Sequence, residues 1–179
     1  MTIRTSQLER LSAIASAEQW SRDLAAPFYA SEDTSGAHSE EVGELLSLVP
    51  CLFGTVWEAL IWLRVSKIQR AHELVQDAST GVQAYIHGMI HRLEGDYWNA
   101  KYWFRNAGRN TVDQVIQTIR AQEKTVLFDP ILLVDRLEQF HRASKLARPP
   151  RECSGNVEEL AIAGALEQEW WAVWNICKR

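Results

Sequence analysis

Along almost the whole chain apolar residues recur three and four positions apart, and β-branched residues rarely alternate with polar ones. Amphipathic helices bury a face that returns about every 3.6 residues, whereas half-buried strands repeat every second residue. The spacing therefore predicts an all-α fold. With 179 residues, 46% of them apolar, the chain can bury the core of one domain and is short for two. It reads as one all-helical domain over 1–179: a helix plus an exposed loop in 1–40, a repeat-like core of helical hairpins in 45–107, and flanking helices in 111–179.

Punctuation divides the helices. A first helix is expected over about 6–25, ended by Pro27, with a polar, exposed loop over 31–39. Ser79-Thr80-Gly81 separates two helical segments. Gly108-Arg109-Asn110 closes another before Thr111, which forms a capping box with Gln114. Asp129 as N-cap and Pro130 at the first helical position start a helix reaching about Lys145, and Pro149-Pro150 breaks the chain. Asn156 with Glu159 caps the last helix, whose stripe is Ile162, Leu166, Trp170, Val173 and Cys177. Leu160, Gly164, Trp171 and Trp174 widen that stripe, so this helix is expected to be covered on two sides.

Charge and cysteines narrow the function. A net charge of -4 and a pI near 5.7 supply no basic field, and no local basic patch stands out, so nucleic acid is not an expected partner. Cys51, Cys153 and Cys177 are odd in number, far apart and without CxxC spacing, against both a disulfide framework and a cysteine zinc site. Residues 1–11 alternate polar and charged residues with no apolar stretch of the signal type, so a cytoplasmic protein is expected. The stretch 45–63 carries one formal charge, Glu58, and approaches the length of a membrane span. Pro50 and Gly54 interrupt it, and we read a turn followed by a buried helix.

Two segments repeat with an offset of 29 residues: Ala71, Val75 and Ala78 in the first stand in register with Ala100, Phe104 and Ala107 in the second. Each reads as a turn followed by a helix that approaches its predecessor through a small residue. The second copy, Gly95-Asp96-Tyr97 through Ala107, resembles the second helix of a tetratricopeptide repeat, and Gly88 stands at the small position of that motif's first helix. The first copy has Ala59 there but replaces the glycine and tyrosine by Ser66 and Ile68. An offset of 29 is shorter than the roughly 34-residue period of such arrays, so the resemblance implies a repeat-like core rather than a solenoid. The run from His87-Gly88 through Gly95-Asp96 to Asn99-Ala100 and Tyr102-Trp103-Phe104-Arg105, with Ala71 to Asp77, Phe128-Asp129-Pro130 and Glu169-Trp170, also resembles an uncharacterised family of bacterial and fungal helical proteins. That resemblance brings no activity with it.

His87 and His91, four residues apart, share one helix face with the spacing of many metal sites, and Glu94 continues that face. His72 is a further candidate ligand, with Asp77 or Asp96 as added oxygen donors, and a divalent transition metal such as zinc is the natural occupant. Gly88 follows His87 where the zinc-protease pattern needs a glutamate base, so a metalloprotease is unsupported. Core histidines bonded to neighbouring carboxylates are the structural alternative. Arg92, Glu94, Asp96 and Arg105 could join these histidines in one charged network, with Arg92 and Arg105 open to a small anion. No nucleophile motif, phosphate loop or dinucleotide fingerprint occurs.

Tyr97, Trp98, Tyr102, Trp103 and Phe104 cannot all face one core, because consecutive helical positions diverge by about 100°. Trp98 and Tyr102 share a face, as do Trp170 and Trp174, and either pair could anchor a partner. The first functional reading is accordingly a protein-binding helical domain, or one that self-associates as a homodimer, with Tyr85, Met89 and Arg92 lining a concave face for a peptide or protein. The alternative is a metal-binding protein or metal-dependent enzyme centred on His87 and His91.

Overall fold

The computed structural model describes residues 43–44, 46–47, 54–64, 67–122, 128–146 and 157–177. The expectations for 6–25, 31–39, Cys51, Cys153, Pro149-Pro150 and Asn156 lie outside those residues. Among the described residues there are seven α-helices and no strand: α1 (Val56–Arg64), α2 (Ile68–Val75), α3 (Gly81–Glu94), α4 (Tyr97–Asn106), α5 (Arg109–Gln122), α6 (Pro130–Leu146) and α7 (Val157–Cys177). None of them is long and apolar enough to cross a membrane. The backbone divides into two compact units, 1–78 and 79–179, parted beside the expected Ser79-Thr80-Gly81 turn and within the repeat-like core.

In the first unit Gly54, at φ +70°, turns the chain into α1, and its N–H donates to Glu58 Oε2 at 2.8 Å. The other carboxylate oxygen of Glu58 accepts from Trp62 Nε1 at 3.0 Å. One acid thus fastens both the turn and the next helical level. Residues 59–64 of α1 are all buried, while α2 contributes Ala71 and Val75 to the core. The Arg70 guanidinium lies over the Trp62 ring, 4.7 Å from its centroid.

The second unit is built on the α3–α4 hairpin. Gly95 ends α3 in the left-handed region at φ +79°, and the following Asp96 N–H returns to His91 O at 2.9 Å. Asp96 then caps α4 by accepting from the Asn99 N–H at 3.2 Å. Two adjacent residues therefore stop one helix and start the next, as their sequence chemistry predicts. Ala100, Phe104 and Ala107 are buried in the expected register, and a Cβ built on Gly88 would lie 3.0 Å from the Phe104 ring. Glycine is required there because an aromatic ring occupies the space a side chain would fill.

One boundary differs from expectation. Gly108, at φ +84°, bends the chain for so short a distance that α5 resumes at Arg109, which leaves Thr111 inside the helix rather than at its cap. Asp129 does cap α6, its Oδ1 accepting from the N–H groups of Ile131 at 2.8 Å and Leu132 at 3.0 Å, with Pro130 as the first helical residue. On α7 the stripe Ile162, Leu166, Trp170 and Val173 is buried, whereas Leu160 is 63% exposed and Gly164 faces open space. The expected second covering of α7 is thus missing along that edge.

Gly88→Val is expected to lower stability by about 1–3 kcal/mol through overpacking against Phe104. In a Phe104→Leu background the same substitution should cost far less, since the ring it strikes is gone. Equal costs in both backgrounds, measured by urea unfolding, would show that this contact is not the cause.

Candidate functional site

The second unit carries nearly all of the sequence-nominated residues, and its helices sort them onto different faces. On the inner side of α3, Tyr85, Met89 and Arg92 are buried rather than lining an open concave face. Glu169 of α7 closes over two of them: Arg92 donates Nη1–H to Glu169 Oε1 at 3.2 Å and Nη2–H to Oε2, and Tyr85 donates its hydroxyl to Oε1 at 2.8 Å. The arginine fork against a carboxylate is the geometry that best satisfies a buried ion pair. Burial in the first place, and Glu169 in the second, hold the Tyr85 phenol well above its ordinary pKa. Arg92 also lies 5.3 Å from the Phe104 ring centroid, and Phe104 meets Tyr85 edge to face at 4.9 Å. This cluster explains why Tyr85 and Arg92, nominated for ligand contact, are instead internal, and Met89 is buried beside them in the same helix.

Glu169 was not nominated, although a signal exists. It sits on the stripe of Ile162, Leu166 and Val173, where a carboxylate at an apolar position demands a buried partner. The expected network of Arg92, Glu94, Asp96 and Arg105 does not form. Arg92 turns to Glu169, Glu94 to His91 and Asp96 to its capping role, while Arg105 is exposed.

His87 and His91 are brought together and buried on α3. Their rings stack 4.7 Å apart at 22°, and His87 stacks on Trp103 of α4 at 4.0 Å and 20°. Glu94 Oε2 lies 2.9 Å from His91 Nδ1, and Asn99 Nδ2 lies 3.2 Å from His91 Nε2. His72 is half-buried on α2 in the first unit.

α4 presents a third face. Tyr97 and Lys101 turn toward α6: the Tyr97 hydroxyl hydrogen-bonds His141 Nδ1, and Lys101 Nζ reaches Asp135 at 2.6 Å and Glu138 at 3.4 Å. The hydrogen bond to Asp135, with the charges of both acids, raises the Lys101 pKa. An adjacent face, turned about 100° from this one, carries Trp98 at 76% exposure and Tyr102 at 45%, their rings 6.1 Å apart and within 8° of parallel. Arg105 continues this side one turn on, exposed and without an ion pair among the described residues. By contrast Trp170 and Trp174 are buried and stacked at 5.0 Å, so that pair is core rather than anchor. Burial lifts the Cys177 thiol to about 11, leaving it a poor nucleophile.

Compared with family models, with curated proteins and with solved structures, the chain matches none of them. The site is therefore read from its own chemistry.

Replacing Glu169 by leucine is expected to cost about 3–5 kcal/mol, because it leaves the Arg92 charge buried without its partner. Replacing Tyr85, Arg92 and Glu169 together by phenylalanine, methionine and leucine should recover most of that loss. A single-variant cost below about 1 kcal/mol in urea unfolding would contradict the role assigned to the pair.

Proposed function

We propose that the protein is a helical interaction domain that binds a partner protein through the outer face of α4. The observation that carries this reading is the stacked pair Trp98 and Tyr102, held in solvent with Arg105 beside it. Large aromatics and arginine are the residues that most often anchor protein interfaces, since they bury much area for little lost side-chain freedom. Tyr97 and Lys101 tie the neighbouring face of the same helix to α6, which makes the platform rigid before a partner arrives. The cation favours an acidic segment carrying an apolar anchor. The face nominated from sequence, Tyr85, Met89 and Arg92, has no part in this reading because it is internal.

Selection of a displayed peptide library on the immobilised protein should enrich acidic peptides containing an apolar anchor. Trp98→Ala or Arg105→Glu should weaken the selected peptides at least tenfold while leaving the melting temperature within a degree or two. Peptides that bind the Trp98→Ala protein as well as the parent would dispose of this face.

A second reading, a divalent metal held by His87 and His91, is supported by their burial one helical turn apart, with ring nitrogens within 4.8 Å of one another. Zinc there would compete with the Asn99 amide for His91 Nε2. Titration of tag-free protein with zinc should then show one equivalent bound, lost in His87→Ala. Absence of saturable zinc uptake would leave the pair as packing.

A further inference from the structure

The edge of α7 left uncovered in the fold borders a half-open groove of about 430 Å³ between α6 and α7. Its walls are Phe128, Leu132 and Leu133 on one side and Ala161, Gly164, Ala165 and the polar Gln168 on the other. That volume lies within the roughly 300–1,000 Å³ typical of small-molecule pockets, and an apolar lining with a few polar groups is their usual composition. The small residues of α7 make the space: a Cβ placed on Gly164 would meet nothing within 4 Å. Leu132, at 61% exposure, has an apolar surface turned to water at the rim.

Two charges border the groove, and they are not equivalent. Asp129 uses Oδ1 to accept from two N–H groups at the start of α6, where the positive end of the helix offsets its charge. Arg136, two turns along from Pro130 on the same helix, is exposed and has no ion pair among the described residues. The unmatched charge of the groove is therefore positive, beside an apolar trough.

We propose that this groove binds a small amphiphilic carboxylate. The acyl body lies over Leu132, Leu133, Ala161 and Ala165, and the carboxylate pairs with the Arg136 guanidinium. The positive charge decides the head group, and the lack of any side chain at Gly164 decides that a chain can lie flat between the helices.

Isothermal titration of the full-length protein with decanoate is expected to show saturable, one-to-one binding. Arg136→Gln should weaken it by roughly two- to fivefold, as expected for the loss of a solvent-exposed ion pair. Decanol, which lacks the charge, should bind the parent and Arg136→Gln equally. Gly164→Leu fills the groove and should abolish binding of both. If that variant fails to fold, as judged by circular dichroism, Ala161→Phe fills the same trough from an exposed position. Trp98→Ala should leave decanoate binding unchanged, which separates this site from the α4 face. No saturable decanoate binding, or binding that survives both groove-filling substitutions, would overturn the proposal.

Discussion

The buried carboxylate of Glu169 is the interaction on which the arrangement of the second unit depends. It joins residues 77 and 84 positions away in sequence, Arg92 and Tyr85, and it does so with every partner buried. A lone charge in that position would be prohibitively costly, and the bidentate arginine and phenolic hydroxyl compensate it only in one register of α7 against α3. Apolar contacts alone would tolerate sliding of one helix along another. The ion pair does not.

That register has two consequences on opposite sides of α7. Facing inward, α7 packs along α5 and sends Glu169 to Tyr85 and Arg92 of α3, and these two residues, like Met89, are buried away from any ligand. Facing outward, it turns Leu160, Ala161 and Gly164 toward solvent beside α6. The same rotation that buries the Glu169 stripe thus creates the groove.

α4 shows how a ten-residue helix can present three different faces. Ala100 and Phe104 enter the core, where Gly88 makes room for the ring. Tyr97 and Lys101 bind α6. Trp98, Tyr102 and Arg105 are left on the third side, displayed on a backbone already held at two others. Exposure of such a pair is not a failure of packing but the geometric result of five aromatics on one short helix, since a single face cannot take them all.

Much of this was legible in the residue order. Helical periodicity set the fold class, Gly95-Asp96 and Asp129-Pro130 placed helix boundaries by local backbone chemistry, and the alanine and phenylalanine register of the hairpin told which side of α4 is buried. These are short-range properties, decided within about one helical turn, so they can be read without knowing what lies opposite. The fate of Arg92, of the Trp170 and Trp174 pair, and of Leu160 could not be read that way. Whether a residue on a helix is core or surface depends on which other helix reaches it, and for α7 that is decided by its long-range packing on α5 and α6 together with the Glu169 pair.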